Sequence, residues 1–387
     1  TAGSEVLEGL IQRRDKPDPS TYIGAGKLED LKAIVRSSGA DTVICDGELS
    51  PSQLRTLEDK LKVKVVDRTA LILDIFAQHA KSREGKAQVE LAQIAYLLPR
   101  LRGWGDSLSR QVGGRAAGGA GIGGRGPGET KIETDRRRIR DKMAKLRREI
   151  AEMKVSRDTK RQERKRFNIP SVAIAGYTNA GKSSLLNALT GAGVLVENAL
   201  FATLDPTVRK ATSSDGRIYT LSDTVGFVRH LPHQLIEAFK ATLEESSEAD
   251  VLLHVVDLSS PNMLRQMEVV DQLIAEFNWS EKKIIHVFNK VDAAPLAQQF
   301  RVKQFPRVFV SALTGQGLDQ LKKMMAESIQ EMQQDVELYF TKREEYKIYD
   351  LSRETKILRK EPGSEGTVCY AQLTPTLINR WKDYLIK

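Results

Sequence analysis

The run Gly176-Tyr177-Thr178-Asn179-Ala180-Gly181-Lys182-Ser183 constrains this chain more than any other stretch. Its spacing, G-x-x-x-x-G-K-S, is that of a loop built to cradle phosphate. An apolar run of buried-strand type, Ser171-Val172-Ala173-Ile174-Ala175, precedes it, and Ser184-Leu185-Leu186-Asn187-Ala188-Leu189 after it reads as the start of a helix. Strand, glycine loop and helix in that order let successive backbone N–H groups turn onto an anion at a helix N-terminus. The expected phosphate contacts are Asn179, Ala180, Gly181, Lys182, Ser183 and Ser184. Lys182 would reach the β- and γ-phosphates and the Ser183 hydroxyl would ligate magnesium. With no nucleotide bound, Lys182 is expected to be a solvent-facing charge.

Four further stretches follow in a fixed order. Asp223-Thr224-Val225-Gly226 closes an apolar run, which places Asp223 near the magnesium and the Gly226 amide near a γ-phosphate. Asn289-Lys290-Val291-Asp292 closes Ile284-Ile285-His286-Val287-Phe288. A carboxylate there accepts two N–H bonds from a guanine edge, which adenine cannot supply. Ser311, Ala312 and Leu313 would close over the base. Thr203 lies between the first two motifs, where a mobile loop senses a γ-phosphate and its metal. Each tetrapeptide alone is weak. In series, each at the end of an apolar run, they resemble a translation-factor-related GTPase domain. That resemblance implies GTP/GDP and Mg2+ as ligands, with Ser183, Thr203 and Asp223 around the metal and Lys182, Thr203 and Gly226 at the reacting phosphate.

Ras-like proteins carry a water-orienting Gln directly after Asp-x-x-Gly. Here that position is Phe227, which neither donates nor accepts a hydrogen bond. Two readings stay open: a phenylalanine packed under the loop, or a slow site that another group completes. Asn179 bears on the second, since similar GTPases with Asn at this place use its amide oxygen to help bind K+.

The formal net charge of +9 is localised: residues 131–166 hold sixteen Lys/Arg against seven Asp/Glu, an excess equal to that of the whole chain. A charge run is commonly a solvated helix face, yet such concentration favours a polyanionic partner, nucleic acid first. The candidate contacts are Arg115, Arg125, Lys131, Arg136, Arg137, Arg140, Arg147 and Arg148. Two distant cysteines, Cys45 and Cys369, and the lack of a signal-peptide pattern or bilayer-spanning apolar run lead to the expectation of a reducing, cytoplasmic setting. His79, His230, His233, His254 and His286 show no metal-ligand spacing. The chain opens at Thr1 rather than Met, which leaves open whether a piece precedes it.

At 387 residues, two to four domains are expected. Residues 1–68 read as a small α/β unit. Residues 28–35 fit a helix ended by Gly39, 42–45 a strand, a helix capped by Ser50 with Pro51 at its first position follows, and 63–66 fit a second strand. Tyr22-Ile23-Gly24-Ala25-Gly26-Lys27 lacks the full phosphate-loop spacing and reads as a turn into a helix. Residues 69–100 look helical. Ala87, Leu91, Ile94 and Leu98 form one apolar seam, and Ile139, Met143, Leu146, Ile150 and Met153 another within 136–154. Two such seams predict an antiparallel helical hairpin over 69–166, with separately docked helices as the alternative. Residues 167–333 read as a mostly parallel α/β GTPase domain, with a hairpin at 208–212 and 218–221, a helix at 235–247, a central strand at 251–256 and a closing helix at 317–332. Residues 334–387 read as a small α+β appendage, with strands at 336–340 and 367–373 and a helix at 375–386.

Nine of the sixteen residues 113–128 are glycine, with Arg115 and Arg125 and no acid. Such a stretch buries no core. It reads either as a flexible linker or as a bare-backbone hairpin tip suited to a narrow anionic cavity. The flanking segment Gly123-Gly124-Arg125-Gly126-Pro127-Gly128-Glu129-Thr130-Lys131-Ile132-Glu133-Thr134-Asp135-Arg136-Arg137-Arg138-Ile139 resembles the signature of the HflX family of ribosome-associated GTPases. Tyr22-Ile23-Gly24-Ala25-Gly26-Lys27, Phe201-Ala202-Thr203-Leu204-Asp205-Pro206-Thr207 and Asp223-Thr224-Val225-Gly226-Phe227 are similar to that family too, so the resemblance spans residues 1 to about 333. It implies a factor that binds the large ribosomal subunit and its rRNA near the peptidyl-transferase centre and splits stalled ribosomes, hydrolysing GTP; a monomer is expected, and whether ATP is also used stays open. The competing class is an RNA-binding or assembly scaffold whose nucleotide site is vestigial, structural or regulatory. Intact Lys182, Ser183, Thr203, Asp223, Asn289 and Asp292 favour the first. No second set of helicase-like motifs is present.

Overall fold

The computed structural model describes residues 3–100, 127–166, 169–191, 207–212, 218–223, 226–227, 246–247, 249–355 and 357–386. These fall into two compact units, the first running to Glu152 and the second beginning at Met153.

In the first unit, helix α1 (Ala25–Ser38) starts directly after Gly24 and ends on left-handed Gly39. Strand β1 (Thr42–Cys45) pairs in parallel with β2 (Lys64–Asp67), Thr42 opposite Lys64. Between them lies α2 (Pro51–Leu61). Its N-terminus is closed reciprocally: Gln53 N donates to Ser50 Oγ, and Ser50 N donates to Gln53 Oε1, which satisfies two otherwise orphaned N–H groups. Leu28, Leu49, Leu57, Leu61 and Val65 form the core.

The expected helical stretch 69–100 is two helices, α3 (Arg68–His79) and α4 (Arg83–Arg100). The Ser82 hydroxyl accepts from Gly85 N at 2.8 Å and starts the second helix anew. Asp67 caps α3 by accepting from Ala70 N at 2.8 Å. Its other oxygen accepts from Leu49 N at 3.1 Å and pairs with Arg100 at 3.2 Å. Arg100 also donates to Leu49 O and Tyr96 O and lies over the Tyr96 ring.

Helix α5 (Pro127–Arg166) is longer at both ends than the expected 136–154. Pro127 and Gly128, assigned from sequence to the glycine loop, belong to its first turn, where proline's fixed φ and missing N–H are suited. Past residue 154 no apolar seam marks it, but its Lys, Arg, Glu and Gln are good helix formers. Arg83 pairs with Glu149 at 3.7 Å and Glu90 pairs with Lys142. Numbers rise along α4 as they fall along α5, so the two run antiparallel as their seams predict. The rest of residues 113–128 lies outside the described residues.

The second unit holds a six-stranded sheet in the order β4-β5-β3-β6-β7-β8. The strands are β3 (Ser171–Gly176), β4 (Thr207–Thr212), β5 (Ile218–Asp223), β6 (Val251–Asp257), β7 (Lys283–Asn289) and β8 (Arg307–Phe309). Only β4 runs antiparallel to its neighbour, Thr212 opposite Ile218. β6 is buried from Val251 to Val256, the continuous apolar pattern of a strand covered on both faces. Helices α6 (Lys182–Thr190), α7 (Met263–Glu276), α8 (Leu296–Phe300) and α9 (Leu318–Glu331) accompany it. Leu185, Leu186, Leu321 and Met325 pack with Ile174, Leu253 and Val287 in one cluster. Met263 and Met267 of α7 pack with Val256 and Phe288 in another. The expected helix at 235–247 lies almost wholly outside the described residues.

At its C-terminal end the unit adds an antiparallel sheet, β10-β11-β9, from β9 (Gln334–Thr341), β10 (Ile357–Pro362) and β11 (Gly366–Leu373). With α10 (Lys347–Glu354) and α11 (Pro375–Arg380) it encloses Leu338, Phe340, Leu351, Leu373 and Trp381. The expected helix at 375–386 stops at Arg380, and Lys382–Tyr384 form a 3-10 turn instead. Trp381 is drawn into the core against Phe340, and the chain then bridges Leu385 to Leu338. β10 and α10 were not anticipated. The fold is thus a P-loop GTPase fold with a helical N-terminal region and a strand-rich C-terminal part.

Candidate nucleotide site

The candidate residues converge where β3, β5, β6 and β7 end. The glycines of the loop are set by crowding. A Cβ on Gly176 would strike Val255 O, and one on Gly181, whose φ is +90°, would strike the Asn289 amide nitrogen. Asn179 also adopts a left-handed φ of 61°, a conformation asparagine tolerates better than most residues.

Lys182 opens α6 and is only 6% exposed, contrary to the expected solvent-facing charge. Its Nζ donates to Tyr177 O at 3.0 Å, curling the side chain back over its own loop. Burial pushes its pKa down to about 8, with the Asp223 carboxylate acting in the opposite sense. Beside it, Ser183 Oγ donates to Asp223 Oδ2 at 2.6 Å. A hydroxyl and a carboxylate oxygen side by side are the hard donor set that suits magnesium.

The stretch after Asp223 is tied to the phosphate loop through its main chain. Thr178 N donates to Phe227 O at 2.8 Å and Phe227 N donates to Gly176 O at 3.1 Å. The Phe227 ring is 2% exposed and lies 6.4 Å from Trp279. The ring is packed, as the first sequence reading expects; this packing does not bear on how hydrolysis is completed. A Cβ on Gly226 would crowd Thr178 Cα at 2.8 Å and Lys182 Nζ at 3.0 Å, so this glycine lies against the loop and its lysine.

At the base end, Asn289 is 2% exposed and spans two loops. Its Nδ2 donates to Ala180 O at 2.9 Å and its Oδ1 accepts from Ala312 N at 3.0 Å. Lys290 donates to Asn179 O at 2.9 Å and to Asp257 Oδ2 at 2.8 Å. Asp257 was missed in the sequence, although it ends β6 as Asp223 ends β5. Ser311 is buried, with its hydroxyl accepting from Thr314 N at 3.1 Å. Asp292 is exposed, and Leu313 is 86% exposed.

Thr203, Arg115 and Arg125 lie outside the described residues, and Lys131 is described only as part of α5. Arg136 is half-buried on α5, whereas Arg137, Arg140, Arg147 and Arg148 are exposed.

The description "GTP-binding GTPase N-terminal" matches residues 1–77, "GTP-binding GTPase Middle Region" matches 79–164, and "50S ribosome-binding GTPase" matches 171–290. The chain is 47% identical over 384 residues to a GTPase HflX of Lacrimispora saccharolytica, covering 99% of this chain and 89% of that one. It is 42% identical over 334 residues to the GTPase HflX of Escherichia coli, covering 85% and 76%. Among solved structures, a GTP-binding protein of Sulfolobus solfataricus in complex with GDP is 27% identical, covering 82% of this chain and 89% of that one with a TM-score of 0.43.

Proposed function

The chain belongs to the HflX family of GTPases, and from that premise we propose a GTP-switched factor that binds the large ribosomal subunit near its peptidyl-transferase centre and splits stalled ribosomes. The observation that carries the reading is a pairing within one chain. A guanine-nucleotide site with its lysine, hydroxyl and carboxylate in place accompanies a helix bearing exposed Arg137, Arg140, Arg147 and Arg148. The basic helix supplies the salt-dependent part of RNA affinity. The glycine-rich stretch, with Arg115 and Arg125, enters a cavity in the subunit, and Lys131 and Arg136 extend the basic surface.

Residues 179–184 hold the phosphates, and Lys182 uncurls from Tyr177 O to meet the β- and γ-oxygens. Ser183, Asp223 and Thr203 hold Mg2+, which when bound neutralises developing charge on the phosphate oxygens. The Gly226 amide faces the γ-phosphate. Asp292 reads the guanine edge, with Lys290, Ser311, Ala312 and Leu313 enclosing the base and Asn289 fixing the two loops. Phe227, buried and tethered, has no means of orienting water. Hydrolysis is therefore completed either by K+ held at Asn179 or by a ribosomal group. Domains at 1–68, 69–166, 167–333 and 334–387, a monomeric state and a cytoplasmic setting complete the proposal.

Co-sedimentation with separated subunits, with and without a non-hydrolysable GTP analogue, tests it. Analogue-dependent binding to the large subunit is expected, and binding indifferent to nucleotide would favour the scaffold class instead. A variant with residues 113–128 replaced by a short Gly-Ser turn should keep GTP binding yet lose ribosome splitting. Full splitting by that variant would make the stretch a mere linker. Hydrolysis that is equal in K+ and Na+ would exclude the cation and leave the ribosomal group.

A further inference from the structure

Nucleotide chemistry leaves one histidine pair unexplained, His254 buried and His286 half-buried. His254 and His286 stand opposite each other on the parallel strands β6 and β7, so their side chains leave the same face of the sheet. Their ring centroids are 5.4 Å apart. Helix α7 brings Asp271 to them, its Oδ1 lying 3.5 Å from His254 Nδ1. One ligand atom from each of the three lies within 4.8 Å of the others.

His254 is 1% exposed. Among the described residues, neither of its ring nitrogens nor Nδ1 of His286 has a hydrogen-bond partner. Buried polar atoms are as a rule satisfied, and a neutral imidazole in an apolar sheet offers a lone pair with nothing to receive it. Thirty-one residues lie between the two histidines in the chain, which is why no ligand spacing is visible there; the strand register alone brings them together.

We propose that His254, His286 and Asp271 bind a divalent transition-metal ion of the zinc class, tying β6, β7 and α7 together. Two imidazoles and one carboxylate are borderline donors, which favour zinc-like ions over magnesium or calcium. Metal–ligand bonds of about 2.0–2.2 Å place tetrahedral neighbours roughly 3.4 Å apart. The His254–Asp271 pair is at that spacing already. Imidazole rotation and the Asp271 side chain, 49% exposed, can close the rest. That exposure also gives an entry path and leaves the fourth position to water. The site is distinct from the magnesium pair Ser183–Asp223. It lies three residues before Asp257 and Asn289 on their strands, about 10 Å behind the nucleotide edge at 3.3 Å per residue. A bound ion would therefore brace the two strands that carry the base-side residues.

The test uses the full chain, stripped by a chelator and then saturated with GDP and excess Mg2+ so that the nucleotide metal position is filled. Co2+ is the probe, because its visible ligand-field bands report nitrogen and oxygen coordination. One equivalent should develop those bands, and Zn2+ should bleach them and raise the thermal midpoint. In His286→Asn and Asp271→Asn both effects should vanish. GDP binding by Asp271→Asn, a change at a half-exposed position, verifies that the protein remains folded. Absence of the bands in the wild-type chain overturns the proposal. Bands and a Zn2+-induced shift that persist in both variants overturn it equally, by placing the metal elsewhere.

Discussion

Replacing Asn289 by alanine should disconnect the two loops that frame the nucleotide. Its amide donates to Ala180 O at 2.9 Å in a buried position and accepts from Ala312 N at 3.0 Å in a partly buried one. Truncation leaves a carbonyl and an N–H without these partners. A buried polar group left unsatisfied costs about 1–3 kcal/mol; with the partly buried Ala312 N–H at the low end, the two together cost about 2–4 kcal/mol. GDP affinity should fall by a factor of ten or more, since the phosphate loop and the base loop would no longer be held at a fixed separation. Asn289→Asp sharpens the test. It keeps the shape and the acceptor for Ala312 N, but it turns an oxygen toward Ala180 O where a donor stood. It should therefore be no milder than alanine despite being nearly isosteric. Urea unfolding of the nucleotide-free protein, together with titration of a fluorescent GDP analogue, measures both effects. An Asn289→Ala protein with wild-type midpoint and GDP affinity would refute the reasoning, and so would an aspartate variant that behaves as wild type.

Lys182→Met should abolish triphosphate binding while stabilising the nucleotide-free protein. The fall from 10.5 to about 8 corresponds to about 3 kcal/mol that burial of the charge costs below pH 8. Because this folded-state value lies below the unfolded one, wild-type nucleotide-free stability should rise between pH 8 and 10.5, and the methionine variant should lack that rise in parallel melts. Asp292→Asn should shift preference from GTP toward XTP; unchanged GTP affinity in a competition assay would mean that the base is read elsewhere. Arg100→Ala strands the fully buried Asp67 carboxylate and should cost about 3–5 kcal/mol, visible as a lower unfolding midpoint, whereas Arg100→Lys should recover only part of it.

What could be read from the sequence was what short-range chemistry dictates. Ser50 before Pro51, Gly39 after α1, the apolar run of β6 and the phosphate loop all carry their conformational reason within a few residues. The failures share a different cause. β10, Ile-Leu-Arg-Lys-Glu-Pro, is an edge strand with little apolar alternation, and it exists because β11 offers it hydrogen bonds. The last twelve residues of α5 show no apolar period, so a search for one stops near residue 154. Lys182 looked like an exposed charge because its burial depends on Tyr177 O and Gly226, which fold over it from two loops. Asp67–Arg100 is another product of tertiary approach. In the candidate site, the identities of the residues were legible, but the use of Asn289 as a bridge and of Phe227 as a main-chain anchor was not, since both depend on which backbone atoms lie opposite.

The two outer strands of the six-stranded sheet have a bearing on how the protein survives at high local concentration. Any open sheet can grow by recruiting a further strand from another molecule, and long, flat, apolar edges invite it. Here one margin is β4, which exposes Arg209 and Lys210, so a second copy docking there would bring like charges together. The other is β8, only three residues long, which gives a docking strand little to pair with. Among the described residues, lateral growth is thus discouraged by charge at one margin and by brevity at the other.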